Sequence, residues 1–143
     1  MIQIRRSALV MFTPAQMFDL VNDVEAYPKR FAWCSGAEVL EQGETALVAR
    51  LDLKFAGFKQ SFTTRNTFSR PERLQISLVN GPLKALEGIW HFHPLGNEGC
   101  KVELNLDFDY AGRLGGTALK LGFQGLASRM VDDFCSEARK AYG

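Results

Sequence analysis

GRLGGTALKLGFQGLASRMVDDFCSEARKAY, residues 112–142, decides how the rest of the chain must be arranged. Leu119, Phe123, Leu126, Met130, Phe134, Ala138 and Ala141 recur in it at intervals of three and four, which puts them on one face of an α-helix. Lys120, Gln124, Ser128, Asp132, Ser136 and Lys140 fall on the opposite, wet face. About 28 residues at ~1.5 Å each make a rod of roughly 42 Å, long enough to cross a whole sheet. Such a rod cannot bury its stripe alone. The preceding chain must supply the complementary surface.

That chain reads mostly as strand. Ile2, Ile4, Ala8 and Val10 alternate with Gln3, Arg5, Ser7 and Leu9. Thr13-Pro14-Ala15-Gln16 then carries a capping box with proline in the first turn, so a helix starts there and runs through Met17, Phe18, Leu20 and Val21. A second short helix fits 24–31, limited by Pro28, and 32–36 reads as a loop. Short strands follow at 38–42, at 47–55 after Gly43, and beyond Ala56-Gly57 through Phe58, Phe62 and Phe68. Leu74, Ile76 and Leu78 alternate in the next strand, which Asn80-Gly81-Pro82 ends. Ile89-Trp90-His91-Phe92-His93 follows, with Gly88 as a bulge candidate. Val102, Leu104, Leu106, Phe108 and Tyr110 oppose Lys101, Glu103, Asn105, Asp107 and Asp109 in the clearest strand of all. Gly112 begins the passage to the long helix. Consecutive strands with short loops pair antiparallel, and helices at the ends of the run make the class α+β. The expectation is one domain over 1–143: a strongly curved antiparallel sheet gripping one C-terminal helix.

The bulk numbers exclude several functions. A formal charge of +1 is no footprint for binding duplex DNA. Three cysteines, Cys34, Cys100 and Cys135, without CxxC spacing point to a reducing cytoplasm rather than a disulfide framework. No apolar run approaches the ~18 residues of a membrane-spanning helix, and the N-terminus lacks the apolar core of a signal peptide.

The chemical signals are sparse. His91 and His93 share a strand face, but two imidazoles are not a metal site, and no third ligand stands at a matching spacing. Asp107 and Asp109 share a face too, opposite a long apolar row, which reads as a solvated surface. Cys34 beside Trp33 is better placed as a buried small residue than as a nucleophile. No phosphate-binding, dinucleotide or serine-hydrolase motif is present. Two features press beyond simple core: Tyr27, Phe31 and Trp33 crowd one loop, and Gln60, Thr64 and Asn66 interrupt an inward row of phenylalanines. Buried polar groups need partners, and a pocket for an apolar ligand with one or two polar functions would supply them.

At this point the sequence resembles a known family. Phe62-Thr63-Thr64-Arg65-Asn66, the run Ser77-Leu78-Val79-Asn80-Gly81-Pro82-Leu83-Lys84 followed by Gly88-Ile89-Trp90-His91-Phe92, and Cys100-Lys101-Val102 carry the likeness. Leu20-Val21-Asn22-Asp23-Val24-Glu25-Ala26-Tyr27-Pro28 and Met130-Val131, Ala138 and Tyr142-Gly143 extend it to the whole chain. It is similar to the coenzyme Q-binding, START-like family of the polyketide cyclase superfamily, whose bacterial branch includes a ribosome-association toxin. Ala32 stands where the family usually has proline before Trp-Cys. The resemblance implies a helix-grip fold of seven antiparallel strands around the C-terminal helix. It implies a cavity holding ubiquinone or a similar polyprenyl quinone or other lipid, with no cofactor and no catalysed reaction, in support of respiration.

On that reading Leu53, Phe62, Leu78, Trp90 and Phe108 line the sheet side. Phe123, Leu126 and Met130 line the helix side. Tyr27, Phe31 and Trp33 form the mouth, and Thr64, Asn66 or Arg65 meets the quinone oxygens, although alternation puts Arg65 on the other face from Thr64. A long isoprenoid tail supplies ample driving force at ~25 cal/mol per Å2 of buried apolar surface. The stretch from the first helix to Trp33 is then the region of transient membrane contact, at the inner face of the membrane of a cytoplasmic protein. The alternative is that the protein binds the large ribosomal subunit and blocks subunit association, through a patch made by Arg5, Arg6, Lys29, Arg30, Lys59 and Arg65. A cyclase-type enzyme is the third reading, and it lacks an acid–base constellation.

Overall fold

The computed structural model describes residues 2–110 and 116–143. The passage that begins at Gly112 lies outside them. The elements run β1 (Ile2–Val10), α1 (Pro14–Asn22), a single 3-10 turn (Val24–Ala26), α2 (Tyr27–Arg30), β2 (Cys34–Gln42), β3 (Ala46–Phe55), β4 (Phe58–Ser69), β5 (Arg73–Asn80), β6 (Ala85–Leu95), β7 (Gly99–Asp109) and α3 (Gly116–Tyr142). The seven strands form one antiparallel sheet in the order β1-β7-β6-β5-β4-β3-β2. Register shifts at Cys34/Gly36, Val39/Glu41 and Thr63/Thr64 add local twist, which helps the sheet curl around α3. Among the described residues no helix is long and apolar enough to cross a membrane.

Local chemistry sets the ends of the elements. Thr13 Oγ1 accepts the Gln16 N–H at 3.1 Å, and Gln16 Oε1 accepts the Thr13 N–H at 2.8 Å, closing the capping box with Pro14 in the first turn. The β3–β4 turn is Ala56-Gly57, with φ of 51° and 79°. Two positive φ values make the turn whose twist matches the flanking strands. Ala56 adopts this conformation without glycine's freedom, at a cost of order 1 kcal/mol. Gly88 is no bulge. It holds regular register with Leu106 and Ile76, and a Cβ there would come within 2.6 Å of Leu106 Cδ1. Its missing side chain makes room for a neighbouring strand's leucine.

The inward stripe of α3 is wider than its spacing suggested. Leu119, Phe123, Leu126, Phe134 and Ala138 are buried as expected, and Ala127, Val131 and Cys135 join them. Met130 is half-buried. Ala141 is exposed, because the last turn runs past the sheet and leans on α1 instead. There the Tyr142 hydroxyl donates to the Gln16 carbonyl at 3.0 Å, and its ring lies 5.9 Å from that of Phe12. Cys34 starts β2, where the sequence read as loop, because it pairs with Leu53 of β3 and Gly36 pairs with Asp52.

Candidate functional site

The concave face of the sheet and the inner face of α3 enclose a cavity of about 80 Å3. Strand alternation delivers Leu53 from β3, Phe62, Thr64 and Asn66 from β4, and Trp90 from β6 to its wall. Helical spacing delivers Phe123 and Met130, seven residues apart, from α3. Tyr27 closes one side, with its hydroxyl donating to the Val21 carbonyl, and burial pushes that phenol well above its ordinary pKa. Val21, Val24, Leu51, Leu74, Ile76, Leu86, Leu104, Leu106 and Phe134 complete the lining. Sequence reasoning did not single these out for the cavity. Their signal was parity, since Leu74 and Ile76 share a face with Leu78, and Leu104 and Leu106 with Phe108.

The other residues named from sequence lie outside the cavity wall. Phe108 is fully buried but stands behind Phe123, edge-on at 4.9 Å. Leu126 is buried in the core. Leu78 lies half-buried beside Gly81, at the end of β5 that has left β6. Phe31 and Trp33 make no mouth here. They stack at 4.6 Å, Phe134 meets Phe31 edge-on at 4.7 Å, and Tyr27 meets Phe31 edge-on at 5.4 Å. Trp33 Nε1 also donates to Asp133 Oδ2 of α3 at 2.9 Å. All three rings are buried, so this apolar loop is a seal between α2 and α3. As a region of membrane contact it offers no exposed aromatic.

Besides Tyr27 and Trp90, the polar side chains in the cavity lining among the described residues are one bonded pair. Thr64 Oγ1 donates to Asn66 Oδ1 at 3.0 Å, and both residues are buried. The bond uses the acceptor of the Asn66 amide and not its N–H donors. The volume limits what the closed cavity can hold. A benzene-sized ring occupies an engineered cavity of about 150 Å3. At 80 Å3, a quinone head group with a polyprenyl tail enters only if the wall moves apart.

Among the described residues no reactive centre accompanies the cavity. Burial raises the thiol pKa of Cys34 and Cys135, and it raises that of Cys100 to about 11, so none is a ready thiolate. The Cys34 thiol donates to the Gly36 carbonyl at 3.2 Å. His91 and His93 sit side by side on the outer face with ring centroids 5.3 Å apart. Among the described residues no three metal-ligating side chains converge. Asp107 meets Arg5 at 2.8 Å on the outer face. The basic patch read from sequence does not form. Arg5 and Arg6 lie on β1 and Lys59 and Arg65 on β4, with β7, β6 and β5 between them, and Arg30 faces Asp23 at 3.7 Å.

A curved antiparallel sheet closed over an apolar cavity by one long C-terminal helix is the helix-grip architecture of START-like proteins. The aromatase/cyclase ZhuI from Streptomyces has the same fold, with a TM-score of 0.84 over 97% of this chain and 94% of its own, at 20% identity. The chain belongs to the polyketide cyclase/dehydrase and lipid transport family, whose model matches residues 10–135. It is similar to the ribosome association toxin RatA of Vibrio cholerae, at 45% identity over 99% of this chain and 98% of the relative. It is also similar to the RatA of Pseudomonas aeruginosa, at 43% over 98% and 97%. The likeness to the mitochondrial coenzyme Q-binding protein COQ10 homolog B of Xenopus laevis is more distant, 24% over 99% of this chain and 60% of that protein.

Proposed function

We propose that this protein acts on the ribosome, binding the large subunit and hindering its association with the small one. The observation that carries this reading is identity of 43–45% over nearly the whole chain to proteins named ribosome association toxins. It reverses the order of the two readings that the sequence suggested. The test is a sucrose-gradient profile of cells overproducing the protein. Free subunits should rise at the expense of intact ribosomes, and the protein should co-sediment with the large subunit. An unchanged profile with the protein at the top of the gradient would overturn the proposal.

A second reading concerns the cavity. Its apolar wall and single polar pair favour an apolar ligand bearing an acceptor oxygen, and the distant relationship to a coenzyme Q-binding protein names a polyprenyl quinone as one such ligand. A docked quinone would need the cavity to open first. Solvent extraction of freshly purified protein followed by mass spectrometry tests this. A near-stoichiometric isoprenoid quinone would establish it, and an extract free of lipid would remove it.

A further inference from the structure

Strand registers place the outward side chains of the convex face, and away from the β2 edge, where Glu38 and Glu41 face outward and Glu38 meets Arg50 at 3.1 Å, the charges there are largely sorted. On the half built from β3, β4 and β5, the outward cations are Arg50, Lys54, Lys59, Arg65 and Arg73. The outward acid on the same strands is Asp52, already engaged by Arg50 at 3.3 Å and by the Ser61 hydroxyl at 2.7 Å. On the half built from β6, β7 and β1, Glu87, Glu103, Asp107 and Asp109 face outward, with Arg5 and Lys101 each held by an acid. Inside the β2 edge, a chain of formal charge +1 has therefore sorted most of its charges between β3–β5 and β6-β7-β1.

The cationic half carries a second mark. Lys54 and Lys59 are directly opposite in the β3–β4 register, and both point outward. Like charges in directly opposed positions destabilise a strand pair, so folding alone gives no reason for them. Arg65 lies further along β4 from Lys59, by six residues or about 20 Å at ~3.3 Å per residue. Lys54, Lys59, Arg65 and Arg73 are all exposed and enter no ion pair among the described residues. Between them stand the exposed hydroxyls and amides of Ser61, Thr67, Gln75 and Ser77. Unpaired cations interleaved with neutral donors suit phosphate oxygens, as in backbone contacts to nucleic acid. An acidic protein partner would be met better by cations rimming an apolar centre, and this face has none: Val48 is buried and Val79 lies at its margin.

We propose that the outer face of β3–β5, through Lys54, Lys59 and Arg65, is the surface that meets the ribosomal RNA backbone. This rests on the ribosome reading above and names its contact surface. The acidic β6–β7 half then faces away from the RNA and fixes the orientation in which the protein lands.

The test measures co-sedimentation of the full-length protein with purified large ribosomal subunits over a series of salt concentrations. The triple variant Lys54→Glu/Lys59→Glu/Arg65→Glu is compared with Arg6→Glu/Lys120→Glu/Arg139→Glu, which has the same net charge with the changes placed off this face. Circular dichroism and melting first establish that both variants are folded. Wild type should bind with an affinity that falls steeply with salt. The β3–β4 variant should lose at least tenfold in affinity, and its log K against log[salt] slope should shrink by about two to three, as expected for three lost phosphate contacts. The control variant should bind as wild type does. Equal losses in both variants, or none in the first, would overturn the surface while leaving the ribosome reading intact. Wild type that fails to co-sediment would overturn both. A first variant that keeps ribosome binding but no longer adsorbs to phosphatidylglycerol vesicles would reassign the face to lipid and overturn the RNA contact.

Discussion

A Cβ placed on Gly122 of α3 would lie 2.5 Å from the Cβ of Ala56, the positive-φ residue at the β3–β4 turn. The turn closes over the N-terminal half of the helix only because that position carries no side chain. Gly125, three residues on, has nothing within 4 Å of its would-be Cβ. The two glycines should therefore respond with opposite signs. Gly125→Ala gains helix propensity and should raise stability by about 0.5–1 kcal/mol. Gly122→Ala gains the same propensity but must displace Ala56, whose backbone is already strained. Overpacking of that kind costs about 1–3 kcal/mol, so the net effect is a lower urea midpoint. Equal shifts in the same direction would show that the turn does not rest on the helix.

The buried pair in the cavity gives a second prediction. Asn66→Leu removes the acceptor of the Thr64 hydroxyl and leaves that donor buried without a partner, a cost of about 1–3 kcal/mol. The double variant Thr64→Val/Asn66→Leu removes both polar ends and should recover part of the loss. Chemical denaturation of wild type, Thr64→Val, Asn66→Leu and the double variant gives the coupling directly. A double variant as unstable as the sum of the singles would mean that the two side chains are held by separate partners.

The cysteines predict a pH dependence at the alkaline end. Burial lifts the Cys100 thiol from about 9 to about 11 in the folded state. A thiol whose folded pKa is raised binds its proton more tightly folded than unfolded. Its contribution is fully present below about pH 9 and is lost as pH rises through about 11. Burial raises Cys34 and Cys135 in the same direction. Stability should fall over that window more steeply in wild type than in Cys100→Ala, each compared with its own value at pH 8. The native thiols should also resist a disulfide exchange reagent at pH 8 and react once urea unfolds the chain.

How far the sequence reached follows from which physics sets each feature. Period and parity are local, so the strands, the capping box at Thr13 and the stripe on α3 could be read directly. The inward parity of β4 placed Phe62, Thr64 and Asn66 on one wall, and the structure keeps them there. What failed depended on distance across the fold. Exposed or buried, a Tyr27-Phe31-Trp33 cluster looks the same in sequence; only Asp133, a hundred residues on from Trp33, shows that it is a seal. Leu78 shares the parity of Leu74 and Ile76, yet β5 has parted from β6 by the time it arrives. The outer charges needed the strand order, because Arg5 and Lys59 are equally exposed in sequence and lie on different halves of the sheet.

Filling the cavity separates the two functional readings. Met130 borders it from α3 and is half-buried, so a larger side chain there can grow into the void without breaking a polar contact. Position 123 would not serve. Phe123 stacks on Phe62 at 5.3 Å and meets Phe108 and Phe55 edge-on at 4.9 and 5.8 Å, so a carboxylate there would be buried among rings and would cost the fold. Met130→Trp should leave the melting temperature within a few degrees of wild type and should exclude any apolar guest. If the protein acts through its outer surface alone, the variant will still shift ribosomal subunit profiles on overproduction while its solvent extract is empty. If a bound lipid sets the shape that the ribosome meets, both effects will disappear together. A variant that still extracts with a full equivalent of lipid would mean that the guest sits elsewhere than between the sheet and α3.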